Sequence, residues 1–139
     1  MATAQTSLYH RLGGYDALAA AVDELLPRLQ GDPQLDVYWK GQNTHTKQRG
    51  RQLLLDFLVQ ALGGPAIYQG LNMKAAHEGL NITESDWAVM ERHAVAVLDK
   101  FGIQGREREE FLGAAASLKG DIVQGHERIV VKGSRTLTD

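Results

Sequence analysis

The sequence predicts an all-α domain, and three observations carry that prediction. Period-two alternation is almost absent before Gly125, whereas apolar residues recur at steps of three and four. The stripes are separated by helix-ending clusters: Gly13-Gly14, Gly31-Asp32-Pro33, Gly63-Gly64-Pro65 and Gly102-Ile103-Gln104-Gly105. A chain of 139 residues, 43% hydrophobic, suits one domain with one modest core.

A short helix is expected from about Ser7 to Leu12, closed by Gly13-Gly14. The next begins near Tyr15 or Asp16 and buries Leu18, Val22, Leu25, Leu26 and Leu29. Pro27 removes the amide that would bond the Asp23 carbonyl, so a kink or an early end is expected there. Leu35, Val37, Tyr38 and Trp39 form an aromatic-rich corner, followed by polar residues from Lys40 to Arg51. A long helix then follows, with Leu53, Leu54, Phe57, Leu58, Ala61 and Leu62 inward, stopped by Gly63-Gly64-Pro65. Ile67 to Asn72 is irregular.

Met73 opens a helix of two turns at most, ended at Gly79, with Met73, Ala76, His77 and Leu80 on one face. Thr83-Glu84-Ser85-Asp86 is close to a capping box, with Asp86 in place of Glu or Gln. It starts a helix whose inner face is Trp87, Met90, Ala94, Val95, Leu98 and Phe101. One last helix carries Phe111, Leu112, Ala115, Leu118 and Ile122. The expected organisation is a flexible N-terminus over residues 1–6, a domain over 7–124 and a poorly ordered tail over 125–139. The two-turn helix in the middle is held by loops and needs something to lean on.

Composition narrows the function classes. Fifteen Lys+Arg against 17 Asp+Glu give a formal charge of -2, without the footprint of a nucleic-acid or membrane binder. No apolar run approaches a bilayer span, and Met-Ala-Thr-Ala-Gln-Thr-Ser lacks a secretory pattern, so a cytoplasmic protein is expected. The absence of cysteine rules out disulfides, thiolate metal sites and cysteine nucleophiles. Metal chemistry must therefore use His and carboxylates, or a cofactor that brings its own ligands.

Five histidines remain: His10, His45, His77, His93 and His126. None forms the paired pattern of a zinc protease, and no triad or phosphate-loop motif is present. By spacing alone, His77 is either a satisfied core or surface histidine, the commoner case, or a ligand. The ligand reading has one physical merit: haem iron takes four nitrogens from its porphyrin, so one imidazole suffices. The porphyrin also needs an apolar slot. Trp39, Leu54, Phe57, Leu58, Met73, Trp87 and Met90 offer one, although each also reads as plain core.

The order of motifs resembles the group I truncated haemoglobins, the shortened two-over-two variant of the globin fold. "SLYHRLGG" (7–14) is similar to that family's opening helix and first glycine motif, and "LGGP" (62–65) to its second. "YQGLNMKAAHEGLNIT" (68–83) resembles the segment carrying the proximal histidine, and "LKGDIV" (118–123) the C-terminal helix. The resemblance implies haem b with His77 as axial ligand through Nε2, its Nδ1–H donating to a backbone carbonyl. Some relatives bear a haem-attaching histidine near the place of Leu118, and His126 lies well beyond it, so non-covalent haem is expected. Lys74, on the rim, is either a propionate partner or an ordinary solvated lysine.

The distal side departs from the family. Where the family's second helix presents Phe-Tyr, this chain has Leu25-Leu26, and Trp39 stands where a phenylalanine normally packs on the haem. Counting back from Gly63, the ligand-facing positions are Gly50, Leu53 and Leu54; counting forward from Trp39, they are Lys47 and Arg51. The backward count is preferred because loops absorb insertions more readily than helices. It gives an apolar distal pocket of Leu26, Gly50, Leu53 and Leu54. Losing a donor to a bound gas costs on the order of 1.5–3 kcal/mol, so weak O₂ retention is expected. His45 or Lys47 is the candidate sixth ligand, and Gln48 or Gln52 a donor under the other register.

Three functions follow as expectations. The first is a haem protein binding O₂, CO or NO, for storage, sensing or delivery. The second is a haem enzyme, either a nitric oxide dioxygenase or a weak peroxidase, served by a reductase. The third is a haem-free helical interaction domain. A monomer or weak dimer is expected.

Overall fold

The chain's main axis is its second helix, which touches two of the other long helices and carries residues of both apolar clusters. The structure is a computed structural model and describes residues 6–124. Of the expected flexible N-terminus only Thr6 is described. The expected tail, with Ile129-Val130-Val131 and His126, lies outside the described residues.

Among the described residues there are seven helices and no β-strand. They are α1 (Leu8–Arg11), α2 (Gly14–Gln30), α3 (Thr44–Ala61), α4 (Met73–His77), α5 (Glu84–Lys100), α6 (Gly105–Ala116) and α7 (Lys119–Ile122), with a 3-10 turn at Asp36–Trp39. α2 packs on α3 and α5, α1 on α2 and α6, and α4 chiefly on α7. No helix among the described residues is long and apolar enough to cross a membrane.

One cluster buries Tyr9, Leu18, Val22, Leu55, Val59 and Leu62. A second buries Leu29, Leu35 and Val89, with Tyr38, Trp39 and Met90 packed against it. The glycine pair after α3 closes the first cluster. Gly63 has φ 94°, a conformation that only glycine enters without strain. Gly64 has no room for a side chain: a Cβ there would lie 2.6 Å from the Tyr9 ring and 2.7 Å from Val59 Cγ1. The pair also lets the Tyr9 amide reach the Leu62 carbonyl at 2.8 Å. α1 is fastened to α6 by Arg11, whose guanidinium meets Glu107 at 3.1 Å and Glu110 at 2.6 Å. Together with Arg106, Arg11 holds the Glu110 carboxyl down at about 2.

Several expectations are corrected. α3 begins at Thr44, capped by the Asn43 side chain on the Thr46 amide, so residues 44–51 form two helical turns rather than a polar lead-in. Its polar residues face solvent there, and polarity alone did not mark them as non-helical. The buried residues of α3 are Leu55 and Val59, followed by Leu62 at its C-cap, whereas Ala61 is exposed. α2 runs through Pro27 to Gln30, because only one turn remains beyond the proline, and Leu29 and the Gly31 amide on the Pro27 carbonyl secure it. Phe101 is exposed at the α5 C-terminus, while Val89 and Val97 are buried. The expected last helix is two, α6 and α7. The Ser117 hydroxyl bonds the Ala114 carbonyl at 2.6 Å, a side-chain competitor for the helical ladder.

Candidate functional site

α4 is one short turn, and it exists because Asn72 caps it: the Asn72 side chain accepts the Ala75 amide at 2.8 Å. His77 ends the helix, half-buried. Its Nδ1 lies 2.9 Å from the Met73 carbonyl. A carbonyl only accepts, so Nδ1 carries the proton and Nε2 keeps its lone pair. Among the described residues no hydrogen bond engages Nε2. Nor do any three His, Cys, Asp or Glu side chains come together to hold a bare ion.

α3 offers a second apolar surface. Leu53 and Phe57 stand two residues from Leu55 and Val59, which places them on the far side of a 3.6-residue helix. α3 is therefore apolar on both sides, one facing the core and one facing away from it. Phe57 meets the Tyr68 ring edge-on at 5.3 Å, and the Tyr68 hydroxyl donates to the Leu71 carbonyl. This ties the loop before α4 to the outer face of α3. Leu53, Leu54, Phe57, Leu58 and Met73 are half-buried, Gly50 and Lys74 are exposed, and Trp87 is buried. Ile67, Leu71 and Leu80, flanking α4, are exposed large apolar side chains.

The corner carrying Trp39 is strapped to α5. His93 Nε2 meets Asp32 at 2.8 Å, and Gln34 donates to Ser85 at 3.0 Å and to Asp86 at 2.7 Å. The Tyr38 hydroxyl donates to Asp86, which also accepts the Thr83 amide at 3.1 Å, completing the capping box. Burial pushes the Asp86 carboxyl up, but the donors from Tyr38, Gln34 and Thr83 outweigh it and hold the group below the usual carboxylate range. The His93 hydrogen bond, then the Gln34 amide, likewise lower Asp32. Trp39 and Met90 both pack on the second cluster.

On the other side of α2, Leu26 packs between the two clusters. Leu25 and Leu58 border a cavity of about 210 Å³ shared with α5 and α6, all of whose lining residues are apolar. His45 and Lys47 stand in the first turn of α3. Arg51 is committed to Asp23 of α2 at 2.7 Å, and Gln52 donates to Tyr15 and Asp56. Gln48 is exposed.

The sequence reading missed Gln124, whose side chain contacts the chain on both sides of His77. Nothing local marks it, because its partners lie 45 and 50 residues away. It recognised Asp86 as a cap but not as the buried acceptor for Tyr38 and Gln34.

The sequence pattern of the bacterial-like globins matches residues 7–124. The group 1 truncated hemoglobin GlbN of Mycolicibacterium paratuberculosis is 34% identical over 119 residues, covering 86% of this chain and 85% of its own. The chain belongs to the group 1 truncated haemoglobins. A second member of that group, from Tetrahymena thermophila, is 32% identical, covering 82% of this chain and 88% of its own. Among solved structures, the truncated hemoglobin of Tetrahymena pyriformis in its Fe(III) form superposes with a TM-score of 0.77 at 25% identity. The match covers 85% of this chain and 98% of that one. The two-over-two globin architecture is thus shared, and membership in the truncated haemoglobins implies a haem cofactor and binding of diatomic gases.

Proposed function

We propose that this chain holds non-covalent haem b between the outer face of α3 and α4, with His77 as axial ligand, and binds O₂, CO or NO on an apolar distal side. One observation carries the reading: the Met73 carbonyl fixes the His77 proton on Nδ1 and leaves the Nε2 lone pair without a partner among the described residues. The residues present fit a porphyrin. A two-sided apolar helix is tied through Phe57 and Tyr68 to the loop that leads to a single free imidazole nitrogen, and a group with its own four nitrogens needs only that one donor. Leu53, Phe57 and Met73 would hold its faces, with Leu54 and Leu58 at the edge toward the core, Trp39, Trp87 and Met90 behind them and Lys74 at the rim. Residues 105–124 contain neither His nor Cys, which supports non-covalent attachment.

When bound, haem supplies the metal that takes up the gas. The chain orients one imidazole, excludes water and sets polarity at the ligand. Leu26 packs on both apolar clusters, with Leu25 beside it on the second, and Gln52 and Arg51 are engaged elsewhere. Together they support a distal side, including Leu26, Gly50, Leu53 and Leu54, that offers a bound gas no donor. His45 and Lys47, in the first turn of α3, remain the candidate sixth ligands.

Absorption spectroscopy tests this. Purified protein titrated with hemin is expected to give a Soret band that is lost in His77→Ala and regained with added imidazole. No band in the wild type, or full retention in His77→Ala, would refute the assignment. Fast autoxidation of the oxy form is expected from the missing donor. An oxy form stable for hours would favour a dioxygenase instead.

A further inference from the structure

We propose that Gln124 is the positioning residue of the histidine segment, holding α4 and the turn after it so that the His77 ring keeps one orientation. What that orientation serves rests on the haem reading above; the hold itself stands on four contacts. The Gln124 amide donates to the Ile82 carbonyl at 3.0 Å. Its side-chain Oε1 accepts the Gly79 N–H at 3.2 Å. Its Nε2 donates to the Lys74 carbonyl at 3.4 Å and to the Asp121 carbonyl at 3.5 Å. One side chain therefore grips the segment at Lys74, before His77, and at Gly79, after it.

The segment needs such a grip. α4 has five residues, far below the length at which a helix sustains itself in water. The chain leaves it through two left-handed residues, Gly79 at φ 86° and Asn81 at φ 59°. Non-glycine residues in that region persist where their surroundings hold them. The Lys74 carbonyl sits in a helix whose terminal carbonyls lack full intrahelical pairing, and Nε2 answers it. Among the described residues the element packed most on α4 is α7, and Gln124 lies just past the α7 C-cap, Val123. The His77 ring is bonded to the Met73 carbonyl of the same turn, so whatever fixes α4 fixes the ring. Groups that orient a metal ligand from outside typically change metal affinity 10–100-fold when removed.

The test uses the full chain and three readouts. Hydrogen exchange at the Gly79 amide, measured without haem, reads the hold alone. In Gln124→Ala that exchange is expected to quicken roughly tenfold. Haem loss to a scavenger is expected to quicken roughly tenfold, and the ferrous iron–histidine stretch in resonance Raman to shift. A loss of stability alone would not move that band. Gln124→Glu keeps an oxygen for Gly79 but no donor for Lys74. It is expected to restore Gly79 protection while leaving haem loss intermediate, and it decides the matter if Gln124→Ala does not fold. Unchanged Gly79 exchange and an unmoved band in Gln124→Ala would overturn the proposal, as would a folded Gln124→Glu that leaves Gly79 unprotected. A wild type that takes up no hemin would sink the haem reading instead, and Gly79 exchange would still decide the hold.

Discussion

Tyr38 places its hydroxyl on a carboxylate that the fold has nearly closed off from water. Asp86 is 8% exposed, and the corner bearing Trp39 hangs on it. Hydrogen bonds to a charged group contribute about 1.5–3 kcal/mol, so Tyr38→Phe is expected to lower unfolding free energy by about that amount, measured by urea titration. The folded pKa of Asp86 is lowered from 3.8, so its contribution is complete above that value and fades as pH falls through the folded pKa. In Tyr38→Phe that carboxyl titrates at higher pH, which NMR of the Asp86 side chain would read directly. At this scale the sequence was legible where chemistry is local. Thr83 and Asp86 stand three apart and announce a cap. Gln34, Tyr38 and Gln124 act across 45 residues or more, where no spacing rule reaches.

α3 shows what periodicity does and does not reveal about an element. Leucines and phenylalanine crowd its second half, and the sequence placed Leu53, Leu54, Phe57, Leu58, Ala61 and Leu62 inward. The structure puts Leu55 and Val59, which that stripe left out, in the core and turns Leu53 and Phe57 away from it. Two substitutions should separate the faces. Leu55→Ala is expected to cost about 2–5 kcal/mol with or without haem, because Leu55 is fully buried. Phe57→Ala is expected to cost the haem-free chain only about 0.5–1.5 kcal/mol, the worth of its contact with Tyr68, while quickening haem loss. Thermal unfolding of both forms checks the pair. The glycine motif at the end of α3 makes a separate point. Gly64→Ala is expected to cost about 1–3 kcal/mol through overpacking against Tyr9 and Val59. The sequence marked Gly63-Gly64 as a helix stop, which accounts for the first glycine only. The second is there for space, and that becomes visible only once α1 is seen lying on it.

Across the whole molecule, the ends of the described chain meet on ion pairs. Glu110 joins α6 to α1, and with its carboxyl lowered from 4.5 to about 2 its contribution is complete above about pH 4.5. It is lost as pH falls from there toward about 2. Glu110→Gln is therefore expected to flatten that part of the acid-unfolding curve, followed by far-UV circular dichroism, and to leave neutral pH nearly unchanged. Class and architecture were legible because stripes and stops fix helices locally and the motif order fixes their arrangement. The boundaries that failed, at Thr44, Gln30 and Ser117, were set by a cap, by core packing beyond a proline and by a hydroxyl.

The two-sided character of α3 has an outcome inside a living cell. On the haem site proposed above, a polypeptide released without its pigment would present a greasy strip, together with Ile67, Leu71 and Leu80, to the machinery that recognises incomplete proteins. Its lifetime would then follow the supply of porphyrin and iron, so that scarcity thins the population rather than leaving it idle.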